Sequence, residues 1–191
     1  DVERAMARKQ MDEVYRTVLG HFRHEIGHYY WEELIAETEW LEKFRSVFGD
    51  ESMSYSDALD THYSKGAPEN WQENFISSYA SAHPWEDWAE SWAHYLHMVD
   101  TLETAYAFGL SINLKLTGIP DIVSTQFSED AYSYVDFSML LNQWTSLSLA
   151  LNSLNRSMGL PDTYPFVISP SVSKKLAFIH ELIHRNRNQE K

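Results

Sequence analysis

The stretch FRHEIGHYYWEEL, residues 22–34, decides how the rest of the chain is read. It contains His24, Glu25, Ile26, Gly27 and His28, a match to the HExxH pattern. On a helix, residues four apart stand one turn above each other on one face. Two imidazoles so placed can hold one Zn²⁺, and Glu25 is left beside the ion, where it can take a proton from water. The pattern needs a helix, and the surroundings supply one. No proline occurs between Met11 and Phe48, and apolar residues recur at Val14, Leu19, Phe22, Ile26, Tyr30, Leu34 and Trp40. The expected helical region runs on to Gly49 and Asp50. Gly27 costs such a helix about 1 kcal/mol against alanine, so its presence points to a close approach by another backbone. Trp31 and Ile35 continue the histidine face and are expected to pack beneath the site.

Five residues with three fixed positions are weak alone, and the chain itself shows this. HELIH, residues 180–184, is a second match. It lies in an expected closing helix, 169–185, with no glutamate-rich helix after it, and is read as a chance match. The first match has such a helix downstream. PWEDWAESWAHYLHMVDTLETAYAFGL, residues 84–110, opens on a proline suited to a first turn and carries Glu86 and Glu90 on one face. Two histidines, a glutamate and an open position form a recognised catalytic zinc set. One carboxylate suffices on the metal, and the other can bond the outer ring nitrogen of a ligand histidine.

A short helix is expected over 53–64, capped by Ser54 or Ser56, then a loop at 64–70. A helical stripe of Trp71, Phe75, Ile76 and Tyr79 is expected over 71–82, ended by His83 and Pro84. Turn signals stand at Gly118 and Pro120, with room for a short strand near 122–125. Asp121, Asp130 and Asp136 read as solvent-facing or capping residues. A long apolar helix is expected over 136–158, stopped by Gly159, with Asn152, Asn155 and Arg156 bracing the turn at 159–166.

Composition narrows the function. The 191 residues suit one good-sized core, and the chain is expected to form a single domain, 1–191, as the catalytic part of a longer protein. Hydrophobic residues make up 43% and charged residues 23%, which is ordinary for a folded protein. The 7 Trp, 11 Tyr and 9 Phe point to a core of large plates or a cleft with aromatic walls. A net charge of −13 disfavours nucleic acid and anionic membrane surfaces and suits a peptide or protein partner of basic character. With no cysteine, thiol chemistry and thiolate metal sites are excluded, and no run reaches transmembrane length.

Three blocks in order, LGHFRHEIGHYYW at 19–31, ASAHPWEDWAESWAHYLH at 80–97 and LALNSLNRSMGLPDTYPF at 149–166, resemble a bacterial family of zinc-binding metallopeptidases. The resemblance runs from about Tyr15 to about Phe178. Family members commonly carry a zinc ribbon with paired cysteines ahead of this region, and this chain holds none. More distantly, the site looks like that of the gluzincins and is similar to the catalytic site of anthrax lethal factor. That resemblance implies Glu86 as third ligand, Glu90 as the outer carboxylate and Tyr79, seven residues before Glu86, as the oxyanion partner. His83 competes with Tyr79 for that role. The expectation is therefore a mainly α, zincin-like domain with a small or absent β-sheet. It would hold Zn²⁺ at His24, His28 and Glu86, with Glu25 as base, and cleave peptides internally rather than from an end. A bacterial cytoplasmic setting is expected. Two other readings stand beside it: a di-iron carboxylate bundle using Glu25 to His28 and Glu181 to His184, and a non-catalytic helical protein-binding module.

Overall fold

A computed structural model describes residues 17–113 and 124–189, with side chains to Arg185. The charged lead-in before Thr17, the turn signals at Gly118 and Pro120, and Asp121 lie outside the described residues. Six α-helices and one two-stranded antiparallel sheet make up the described chain, so the protein is mainly α. The helices are α1 (Val18–Trp31), α2 (Leu41–Phe48), α3 (Tyr55–Lys65), α4 (Pro84–Ala107), α5 (Phe137–Ser157) and α6 (Pro170–Gln189). The strands β1 (Ser111–Asn113) and β2 (Ser124–Gln126) pair with Ile112 opposite Thr125. The chain falls into two compact units, one from the segments up to Leu96 and from Phe166 onward, the other from His97–Pro165.

Helix α1 begins where the Thr17 side chain accepts the Gly20 N–H at 2.9 Å. The expected single run to Phe48 is interrupted. The last turn of α1 widens into a π-turn over Glu32–Ala36. The Thr38 hydroxyl then donates to the carbonyls of Leu34 and Ile35, competing with the helical ladder. The chain restarts as α2, and Gly49, at φ 104°, ends it as expected. For α3 the choice between two serines resolves to Ser54, whose side chain accepts from the Asp57 N–H.

The expected helix over 71–82 does not form. Two short 3₁₀ turns, Trp71–Glu73 and Tyr79–Ser81, stand at its ends. The reason is local and tertiary at once. Ser77 Oγ accepts the Ala80 N–H at 3.1 Å and so replaces a ladder bond. The Asn74 carbonyl is taken by the Lys175 ammonium from α6. Apolar spacing alone could not register either competitor.

The core of the first unit is built from aromatic plates. Phe44 and Phe48 of α2 stack at 4.9 Å, and Phe178 of α6 meets Phe48 at 5.7 Å and Trp40 at 5.6 Å. Trp88 of α4 closes the cluster against Phe48 at 5.8 Å. Trp31 and Ile35 are buried, as the extended histidine face required. Beside the plates lies a buried ion pair, Lys175 Nζ to Asp87 Oδ2 at 2.6 Å, which ties α6 to the first turns of α4. Burial pushes the Asp87 carboxyl up to about 7 against the pull of Lys175.

In the second unit, Asp136 caps α5 by accepting the Ser138 N–H, and Asp130 caps a 3₁₀ turn in the same way. Gly159, at φ 76°, stops α5. Asn152 bonds both the N–H and the carbonyl of Tyr164, Asn155 reaches Pro161 and Thr163, and Arg156 pairs with Asp162. All three residues brace the turn, the role their positions implied.

Candidate metal centre

Helix α1 holds His24 and His28 one turn apart, with ring centroids 4.9 Å apart and Nε2 atoms at 3.2 Å. Helix α4 brings the carboxylate. His83 caps it: its carbonyl accepts the Asp87 N–H, and its Nδ1 accepts the Trp85 N–H at 3.1 Å. Pro84 fills the first position, where an N–H is not needed. Glu86 therefore sits in the first turn and projects towards the histidines. Its Oε2 lies 3.1 Å from His24 Nε2 and its Oε1 3.8 Å from His28 Nε2.

The two helices approach closely because of Gly27. A Cβ there would lie 3.1 Å from the Ala89 Cα and 3.2 Å from a Trp92 ring carbon. The Gly27 carbonyl accepts the Trp88 indole N–H at 2.8 Å in the buried contact. A helix-weakening residue inside the motif is thus the condition for bringing Glu86 to the histidines.

The donor set fits a zinc ion. Ligand bonds of about 2.0–2.1 Å in tetrahedral geometry place donor atoms about 3.3 Å apart, close to the distances seen here. One donor atom from each of His24, His28 and Glu86 lies within 4.8 Å of the others. Glu86 Oε2 is buried and out of line for a hydrogen bond, so it has no donor of its own. Three atoms that carry lone pairs converge on one point. Such a cluster calls for a proton or a cation between them.

The electrostatics say the same. Burial opposes the charged form of His24, but Glu86 and Glu90 outweigh it and raise its pKa to about 9. His28, half-buried, is lowered by burial despite Glu86 nearby. Burial resists ionisation of Glu86 too, yet His24 and the Tyr55 hydroxyl hold its carboxyl below the usual range. The carboxylates thus favour positive charge at the point where the donor atoms meet.

Around this set stand further groups. Glu90 Oε1 meets His24 Nδ1 at 2.7 Å, which orients the ring so that Nε2 faces His28 and Glu86. Ser77 Oγ donates to Glu90 Oε2 at 2.7 Å. Tyr55 on α3 donates to Glu86 Oε1 at 2.6 Å, and Oε2 lies against His24 Nε2 with no hydrogen-bond donor. Tyr79 lies with its ring 6.0 Å from that of His24, and burial, with Glu86 nearby, raises its hydroxyl above the ordinary tyrosine value. The other two sites named from the sequence lie differently. Glu25 is exposed, its carboxylate 3.6 Å from His21 Nε2. His83 has both ring nitrogens engaged, Nδ1 with Trp85 and Nε2 with the Met53 carbonyl at 3.2 Å. Tyr55 and Ser77 escaped sequence reasoning. They lie 31 and 13 residues from their partners, and no spacing rule reaches across a loop.

The C-terminal HELIH segment is occupied otherwise. His180 Nδ1 meets the buried Tyr95 hydroxyl at 3.0 Å, and Glu181 pairs with Lys43 and Arg185. Among the described residues, His24, His28 and Glu86 form the one group of three such side chains suited to an ion.

Comparison with known proteins bears on this geometry. The profile of a family described as "Putative zinc-binding metallo-peptidase" matches residues 1–182. The chain belongs to that family. Uncharacterized proteins of Mycobacterium bovis and Mycobacterium tuberculosis are 48% identical over 184 residues, which is 96% of this chain and 51% of theirs. The chain spans about half the length of the curated relatives it matches. No solved structure matches it. In this chain the three donors come from α1 and the start of α4, and no helix among the described residues is long and apolar enough to cross a membrane.

Proposed function

We propose that this chain is the catalytic part of a longer zinc-dependent endopeptidase of the gluzincin type. The observation that carries the reading is the convergence of one donor atom each from His24, His28 and Glu86, with Glu86 Oε2 buried and left without a hydrogen-bond donor. Zinc, when bound by these three residues, would supply a Lewis acid that polarises the scissile carbonyl and acidifies water. The chain's own groups do the rest. Glu25 follows the first ligand and has an exposed carboxylate, free to take the proton of the attacking water and pass it to the leaving amine. The Tyr79 hydroxyl, kept protonated by its burial, donates to the oxygen on which charge develops. His83 is read as the cap that starts α4, because neither ring nitrogen is left for substrate. Glu90, held by Ser77, keeps the His24 ring turned for ligation.

The test is Glu25→Gln. The variant should keep one zinc per chain by elemental analysis and lose about 10²–10⁴-fold of its rate on a peptide library. A zinc-loaded Glu25→Gln protein as active as the unaltered one would remove the assignment.

A further inference from the structure

Next to the metal centre a cavity of about 420 Å³ is lined by His28, Tyr29, Trp31, Glu32, Tyr55 and Trp85. Its position ties it to the site. His28 is a metal ligand whose side chain is 31% exposed, and Tyr55 is the hydrogen-bond partner of ligand Glu86. A peptide with its scissile carbonyl at the metal would have a neighbouring side chain within reach of this space. The walls are aromatic. Trp31 and Trp85 meet edge to face at 5.2 Å, and Tyr55 lies 6.1 Å from Trp85. The lining holds a single carboxylate, that of Glu32, which is exposed and has no ion-pair partner among the described residues. Aromatic walls suit both a methylene stem and a planar cation. A lone carboxylate beside them selects the cation.

We infer that this cavity receives a lysine or arginine side chain adjacent to the scissile bond, with the stem against Trp31, Trp85 and Tyr29 and the cationic head on Glu32. The inference rests on the peptidase reading for its placement, and it names the substrate class of that site: peptides with a basic residue beside the cut. The net charge of −13 favours approach of such substrates at long range. The experiment pairs arginine with citrulline, its neutral near-isostere. The zinc-loaded protein is given matched peptides that differ only at the residue beside the cut, carrying arginine, citrulline, leucine or glutamate. Cleavage is read by mass spectrometry and binding by tryptophan fluorescence. Arginine should exceed citrulline by about fivefold or more in kcat/KM and in affinity. The ratio should fall towards one in Glu32→Gln and shrink at high salt. If leucine is preferred, or if Glu32→Gln leaves the ratio intact, the inference is overturned. If no peptide is cleaved, the peptidase reading fails, and the binding ratio still decides the pocket: arginine favoured and Glu32-dependent sustains it, equal binding removes it.

Discussion

His24 stands between two carboxylates, and on the proposed reading this would govern how the site takes up zinc. In the metal-free protein its pKa is about 9, while His28 is lowered and Glu86 and Glu90 remain ionised near neutrality. Zinc must displace the His24 proton, so zinc affinity should rise about tenfold per pH unit between pH 5.5 and 7 and level off above about 9. The sign for the metal-free fold is the reverse. A folded pKa above the ordinary 6.5 contributes stability that is full below 6.5 and lost as pH rises through about 9. Competition with a chelator across this pH range measures the first effect; a pH-independent affinity would mean that His24 carries no such proton. Tyr55 acts on the other side of the centre. By donating to Glu86 Oε1 it leaves Oε2 for the ion. Tyr55→Phe should weaken zinc binding about 10–100-fold with little loss of fold, measured by chelator competition and thermal melting. An unchanged affinity would show that Glu86 needs no such orientation.

Helices α1 and α4 meet across a glycine, and a methyl group there would be a few tenths of an ångström too close to its neighbours. In Gly27→Ala the added carbon faces backbone at Ala89, which cannot swing aside as a side chain can. The intrinsic gain in helix propensity of about 1 kcal/mol should be outweighed by overpacking of about 1–3 kcal/mol. The expected outcome is a lower melting temperature and a larger loss of zinc affinity, because α4 carries Glu86. A more stable variant with full zinc affinity would refute the close-contact account. The same elements show where periodicity reads well. The spacing of α1, α4, α5 and α6 was legible because each presents a long apolar stripe. The segment 71–82 has a stripe too, yet Ser77 and Lys175 claim its backbone groups.

Across the whole chain, the closing helix α6 returns to the beginning. Lys175 pairs with Asp87, one residue after Glu86, donates to the Asn74 carbonyl and lies 4.3 Å from the Phe75 ring. Lys175→Met would leave the Asp87 carboxyl buried without its counter-charge. A loss of about 3–5 kcal/mol is expected at pH 8, read by denaturant unfolding. The deficit should narrow as the pH falls from 8 towards about 7 and level off below, because removal of the lysine lifts the Asp87 carboxyl above its present value of about 7, and a protonated Asp87 no longer needs a cation. A pH-independent deficit would show that the lysine acts only through its packing. The double variant with Asp87→Asn should recover part of the loss.

That His24 and His28 share one helix face, and Glu86 and Glu90 another, was readable from the sequence because each pair rests on helical spacing, a rule that acts within one element. So were the glycine-ended helices and the three residues bracing the turn after α5. What brings Tyr55 onto Glu86, Ser77 onto Glu90 and Lys175 onto Asp87 is packing between segments far apart in the chain. Those partners answer to distance in space, and a one-dimensional pattern carries no record of it until the helices have met at Gly27.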